Sequence, residues 1–352
     1  MATRPWWLRA GASATVVVLA LATACGGDDS SGADGEAPTA DAARGAPADG
    51  PTADGGWSFT DDRGETVTLD EPPDTIVAQT VVAGGLWEYD VEVAGVFGPL
   101  RRPDGSADPG VGLAEPDDFT SVGETEGQPD LEAVAALRPD IIVTSLWGPD
   151  SYWGIDDELV DEIEQIAPIV AVRVEQRPMT EPLARYAELA EALGADAGSG
   201  PMVEARDAFD TASRRLEDAL AAKPGLTVLA ASGSPSELYV AWPGGFADLL
   251  YFQELGMDLV SPEEHPGGGG YWETLSWEQA DTYPADVILA DVRGASIDRL
   301  LDLAPSTVES LPAVEADQML AWPASYAMGY GHVASILDDL ATAVEQASDD
   351  VV

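Results

Sequence analysis

Ten aromatic side chains and one arginine stand in, or just after, short aliphatic runs that read as β-strands. Trp87 follows TIVAQTV, and Trp147, Tyr152 and Trp153 follow DIIVTS. Tyr239 lies inside ELYVAW and Trp242 ends it, Tyr271 and Trp272 end a Gly-rich stretch, and Trp322 and Tyr326 end or follow QMLAW. Arg293 comes after DVILAD. In open α/β folds, ligands bind beyond the carboxyl ends of strands, so these residues are the candidates for a binding surface. Aromatic faces give broad apolar contact, and their N–H and O–H groups orient a polar ligand. A guanidinium among them can hold charged oxygens through paired hydrogen bonds. Arg101 and Arg102 follow another aliphatic run and are weaker candidates.

Reaction chemistry has less support. A serine hydrolase of the α/β type needs a G-x-S-x-G turn, and none is present. His265 in PEEHPGGGG and His332 in GYGHVAS are the only histidines, and neither stands beside a serine motif. With 64 acidic residues, counting leaves a carboxylate pair for glycoside cleavage open, and a secreted hydrolase is the competing reading. Direct metal capture lacks the His and Cys sets that zinc or manganese sites use, and no loop has the acid spacing of a calcium site. No cofactor is expected; a metal would arrive already chelated.

The elements that must position these residues alternate along the chain. WSFTDDRGETVTL reads as a hairpin turning at Asp62-Arg63-Gly64. Strand-like TIVAQTV, VEVAGVFG, DIIVTSLWG and IVAVRV are then separated by helical GGLWEY, LEAVAALRP and ELVDEIEQIAP. In TEPLARYAELAEALG, Leu183, Tyr186, Leu189, Ala190 and Leu193 recur at helical spacing. Pro201 suits the first turn of a helix running to Lys223-Pro224-Gly225, about 33 Å long at 1.5 Å per residue. The alternation then restarts with LTVLAAS, ELYVAW, DLLYFQELG, DVILAD, a helix around 296–303 and QMLAW, and closes with the helical GYGHVASILDDLATAVEQA. The pattern predicts two α/β lobes, each with a mainly parallel central sheet flanked by helices, joined by one long helix with a ligand cleft between them. The boundaries are 57–200 for the N-terminal lobe, 201–223 for the helix and 224–352 for the C-terminal lobe. One unit occurs twice: LEAVAALRPDIIVT places Glu132 eight residues before Asp140, and WEQADTYPADVILA places Glu278 eight residues before Asp286.

The first 24 residues have Arg4 and Arg9, an apolar run and small residues before Cys25, the only cysteine, which is the layout of an export signal. Residues 25–56 are nearly all Gly, Ala, Asp, Ser, Pro and Thr and read as an acidic tether; the 31 after Cys25 would span about 30 Å as flexible coil. Cleavage before Cys25 removes two arginines and no acid, taking the side-chain charge from −48 to −50. So negative a chain repels nucleic acid and anionic membranes. Two origins of this acidity stay open: a GC-rich genome, which explains the single lysine Lys223, and salt adaptation, which also explains the acids.

Taken together, FTDDRGETVTLDEPPDTIVAQ, PDLEAVAALRPDIIV, RYAELAEALGAD, YFQELGMDLV and GGGGYWETLSWEQADTYPADVIL resemble the substrate-binding proteins of bacterial ABC importers for iron-siderophore complexes, heme and cobalamin. The likeness runs from about Trp57 to Ala347 and is nearest to actinobacterial ferric-siderophore binders. LATAC resembles a lipobox with Ala22 where Leu is usual, which implies lipidation of Cys25 and a monomer held at the extracytoplasmic face of the cell membrane. The resemblance implies little hinge motion, no catalysis and a ferric siderophore as ligand, with heme and cobalamin as alternatives. It also implies that Glu132 and Glu278 pair with basic residues of the permease subunits; both also suit the positive end of a helix. The negative charge favours a neutral or cationic hydroxamate complex over a tricatecholate.

Overall fold

The structure, a computed structural model, describes residues 49–352 apart from 53–54, 149–150, 267–269, 294–296, 298–300 and 302–305. The expected signal segment, Cys25, most of the tether and most of the helix expected around 296–303 lie outside the described residues. The fold begins earlier than expected. Strand β1 (Gly50–Pro51) pairs antiparallel with β2 (Trp57–Thr60), which pairs with β3 (Thr66–Leu69). Residues 49–56 therefore do not all belong to the tether: this pairing uses backbone groups, which a Gly- and Pro-rich stretch still offers, and Asp49 Oδ1 accepts the Thr60 N–H at 2.7 Å. Trp57 anchors the hairpin by donating Nε1–H to Ala192 O at 2.7 Å.

The N-terminal lobe carries the parallel sheet β5-β4-β6-β7, built from β4 (Ile76–Gln79), β5 (Gly95–Phe97), β6 (Ile141–Leu146) and β7 (Ile169–Arg173). The run TIVAQTV is split, because the Gln79 side chain accepts Val81 N–H and starts helix α1 (Thr80–Trp87) there. In the C-terminal lobe, β8 (Thr227–Gly233), β12 (Val287–Asp291) and β13 (Met319–Trp322) run parallel, and β10 (Asp258–Leu259) joins β8. Strands β9 (Glu237–Ala241) and β11 (Trp272–Ser276) are antiparallel to their neighbours. Only three residues link β8 to β9, too few for the crossover that a parallel pair needs.

Side chains alternate across each sheet. Val228 and Ala230 of β8 face one core with Val287 and Leu289 of β12, while Leu229, Ala231, Ile288 and Ala290 face another. Burial on both faces is why these strands read as continuous apolar runs. The first of those cores is continuous through both lobes and includes Ile141 and Val143 of β6. It also takes in Phe209, Leu216 and Leu220 of the connecting helix (Gly200–Ala221), and Leu337 and Val344 of the C-terminal helix (Tyr330–Gln346).

The repeated unit has a structural meaning. Asp140 accepts Asp74 N–H and Thr75 N–H at 2.9 and 2.8 Å, while its own N–H goes to Thr75 O. Asp286 accepts Thr227 N–H at 2.9 Å and the Thr227 hydroxyl at 2.8 Å, and its N–H goes to Thr227 O. Each aspartate thus ties the start of one strand to the start of its parallel neighbour. Glu132 and Glu278 are exposed in the first turns of the short helices before these strands.

Candidate ligand cleft

The carboxyl ends of β6 and β7 in one lobe meet the loops around β9, β11 and β13 in the other. Phe246, set by the turn Pro243–Gly245, is the centre of the meeting. Its ring lies 5.9 Å from Trp147, 6.1 Å from Tyr271, 5.1 Å from Trp272 and 5.2 Å from Trp322. Trp147 continues the array to Tyr271 at 5.3 Å and to Trp153 at 5.0 Å. Edge-on ring pairs of this kind contribute about 0.5–1.5 kcal/mol each beyond the area they bury. Five of the expected aromatics, Trp147, Trp153, Tyr271, Trp272 and Trp322, are therefore brought into one array drawn from both lobes.

Tyr326 lies at its base, in a small pocket also lined by Val81, Ser145, Trp147, Phe246 and Asp248. Its hydroxyl is 3.2 Å from Met179 Sδ, a contact between lobes. Trp242 is adjacent but outside the array; its ring meets His265 at 4.6 Å and its backbone N–H donates to Tyr271 O. Three expected residues point elsewhere. Trp87 is 42% exposed at the last turn of α1, a full helix length from the strand end. The Tyr152 hydroxyl accepts from Arg63 Nη1, which turns the ring toward the N-terminal hairpin. Tyr239 is inside β9, and its hydroxyl donates to Glu237 Oε2 at 2.9 Å.

Polar groups fix the array. The buried Asp248 carboxylate accepts Trp322 Nε1–H at 2.7 Å and Leu249 N–H at 2.8 Å, and burial pushes its pKa up to about 6. Tyr271 donates its hydroxyl to Glu175 Oε2 at 2.8 Å across the lobes, and Glu175 is balanced by Arg173 Nη1 at 3.0 Å. Arg293 is not simply free for ligand: Asp291 takes its Nε at 3.0 Å and its Nη2 at 2.9 Å. The Arg293 side chain stays 28% exposed while that of Asp291 is 7% exposed, so the pair presents a mostly neutralised guanidinium to the cleft. The charges of Glu126 and Asp108, from the first lobe, favour the protonated Arg293 through space. Of the weaker candidates, Arg101 pairs with Asp117 at 2.9 Å, and Arg102 acts on Asp108 electrostatically.

Residues 78–326 match the family of periplasmic binding proteins. The chain belongs to this family. Among solved structures, this periplasmic binding protein is similar to DesE, a ferric-siderophore receptor protein from Streptomyces coelicolor, at 42% identity with a TM-score of 0.79. That match covers 83% of this chain and 99% of DesE. It also has the fold of the siderophore periplasmic binding protein from the fuscachelin gene cluster of Thermobifida fusca, at 22% identity and a TM-score of 0.54, over 78% of this chain and 96% of the other. FeuA of Bacillus subtilis, a triscatecholate siderophore binding protein, shares the fold at 15% identity and a TM-score of 0.61, over 82% and 98% of the two chains. No curated protein matches the chain.

Phe246, Glu175, Asp248, Glu126 and Asp108 were not singled out from the sequence. The strand-end rule that picks Trp242 reaches Phe246 four residues later in WPGGF, and it reaches Glu175 two residues after β7. Nothing local marks Asp248, whose partner Trp322 is 74 residues away.

Proposed function

We propose that this periplasmic binding protein captures a ferric siderophore of hydroxamate type and delivers it to an ABC permease for iron uptake. The observation that carries the reading is the two-lobe aromatic array packed on the buried Phe246, whose half-buried members Trp147, Trp153, Tyr271 and Trp272 offer apolar faces suited to the organic shell of a chelated metal. The likeness to DesE supports it. Hydroxamate rather than tricatecholate follows from charge, because a guanidinium already held by Asp291 offers little to a highly anionic complex. The protein acts by binding and needs neither catalysis nor a resident cofactor. Lipidation of Cys25 and tethering by the residues between it and Asp49 would keep a monomer at the extracytoplasmic face of the membrane; among the described residues no helix is long and apolar enough to cross one.

Tryptophan quenching of the purified chain, titrated with a ferric trihydroxamate, a ferric tricatecholate, heme and cobalamin, tests the assignment. Saturable quenching by the trihydroxamate below micromolar concentration is expected. Preference for heme or cobalamin would move the ligand within the importer class, and no response from folded protein would remove the siderophore reading.

A further inference from the structure

One carboxylate at the base of the cleft is buried away from any cation. Asp248, in the first turn of the helix Ala247–Glu254, is 3% exposed, and among the described residues no lysine or arginine bonds it. Each of its oxygens has its own donor: Oδ2 accepts Trp322 Nε1–H at 2.7 Å and Oδ1 accepts Leu249 N–H at 2.8 Å. An amide of the same shape cannot replace it, because its NH2 would face one of those two N–H groups. Trp322 ends β13, is itself buried, and backs the binding surface rather than joining it. Its ring lies 5.2 Å from Phe246 and 5.9 Å from the half-buried Trp272. A void of about 20 Å³ lined by Asp248, Phe246, Trp147 and Tyr326 leaves slack at the base of the array. A directional bond, rather than close packing, therefore sets the plane of the indole.

Burial drives the Asp248 pKa up to about 6 against the bonds from Trp322 and Leu249, so the group is charged at neutral pH at a cost in stability. The groups around it titrate elsewhere or are paired. Burial raises the hydroxyls of Tyr326 and of Tyr186, which bonds Ser145 on the wall of the void, far above neutral. Asp291 stands opposite Trp322 in the β12–β13 register; burial raises its pKa, but the charge and hydrogen bonds of Arg293 together bring it below the ordinary value. In the other lobe, Glu175 is held by Arg173 and Tyr271. His332, whose ring is 6.0 Å from Tyr326, is lowered by burial to about 4, and Glu88, which accepts its backbone N–H, is raised by burial.

We propose that Asp248 is a positioning residue for ligand binding: its charged carboxylate holds the Trp322 indole in the plane that seats Phe246 and Trp272, and the cleft binds tightly only in that state. This rests on the siderophore reading above. Acidification then loosens the base of the array and weakens the hold on the ligand.

A ferric trihydroxamate whose own charge is constant between about pH 5 and 8 tests this, titrated into the purified chain and into Asp248→Asn, Trp322→Phe and the double variant. For the unaltered chain, Kd is expected to be flat above about pH 7 and about tenfold weaker at about pH 5, where about one carboxylate in eleven stays charged. Asp248→Asn is expected to bind about tenfold more weakly at neutral pH, with a flat profile. Trp322→Phe keeps a ring but has no N–H to orient, so its profile is flat and Asp248→Asn costs little more in that background. Glu88 and His332 are present in every variant, so they cannot produce these differences. A carboxylate that only supports the fold would change the melting temperature and leave the pH profile and this coupling unmoved. Unchanged affinity of Asp248→Asn, a profile as steep in Trp322→Phe as in the unaltered chain, or an Asp248→Asn loss undiminished by Trp322→Phe overturns the inference while leaving siderophore binding intact. Should Asp248→Asn not fold, the profile of Trp322→Phe against the unaltered chain decides. If the unaltered chain melts cooperatively yet binds the complex at no pH, the siderophore reading itself fails and this inference with it.

Discussion

Phe246 joins aromatic residues of both lobes, and it is 2% exposed. Truncating it removes four ring contacts at once and leaves a void between rings that other contacts hold in place. Phe246→Ala is expected to lower stability by about 3–5 kcal/mol in urea unfolding and to weaken ligand quenching more than Trp87→Ala, which changes an exposed ring outside the array. His332 offers a pH test. Its Nε2 is buried among the described residues without a hydrogen-bond partner, and burial lowers its pKa from 6.5 to about 4. The folded state therefore holds the neutral imidazole. As pH falls below 6.5 the unfolded chain takes up the proton first, so stability declines between about pH 6.5 and 4 and is restored above that window. Unfolding free energies at several pH values should show a shallower decline for His332→Gln than for the unaltered chain. Asp248 and Glu126, with raised pKa values, act in the opposite sense, and the comparison between the two chains cancels them.

At the scale of elements, the two lobes share a device at the start of paired strands. Asp140 and Asp286 accept backbone N–H groups that would otherwise be left at a sheet end. Asp140→Ala and Asp286→Ala are each expected to lose about 1–3 kcal/mol, seen as a shift of the urea midpoint at constant slope. A second device joins the lobes: Glu88, just past α1, accepts Gly331 and His332 N–H at 2.7 and 2.9 Å and so caps the C-terminal helix. A Cβ on Gly329 would come within 2.1 Å of its carboxylate, which is why GYGH opens that helix. With the connecting helix sharing one core with both lobes, these contacts favour a stiff pair of lobes over a wide hinge. The helical and strand periods and the pairing of Glu132 with Asp140 and Glu278 with Asp286 were visible in the sequence because they are local. The antiparallel direction of β9 was not, because a strand reads alike in either direction, and β11 was not expected as a strand because WETLS has no apolar run.

For the whole molecule, two outcomes follow from charge. Glu132 and Glu278 are exposed in the first turns of corresponding short helices of the two lobes, and we propose them as a permease-docking pair. Reversing both, Glu132→Lys with Glu278→Lys, is expected to abolish iron uptake in cells while leaving ligand affinity of the purified protein unchanged; uptake at the original rate would dismiss the pair. A formal charge of −48 makes the compact state repel itself, so the melting temperature should rise between low and molar salt. An unchanged melting temperature would favour a compositional origin of the acids over salt adaptation.

The amino-acid sequence by itself determined the alternation of the main strands and helices, the two lobes, the long connecting helix and the repeated Glu-to-Asp unit. Each is written in spacing over a few residues, where backbone geometry links sequence directly to structure. It also placed aromatics at strand ends. Which of them meet was decided only by the tertiary structure, since Trp147, Phe246 and Trp322 are far apart along the chain and converge through sheet packing. The same packing turned Tyr152 toward Arg63 and clamped Arg293 on Asp291. Side-chain direction and charge balance depend on partners that only the folded chain supplies, and these are what set the character of the cleft.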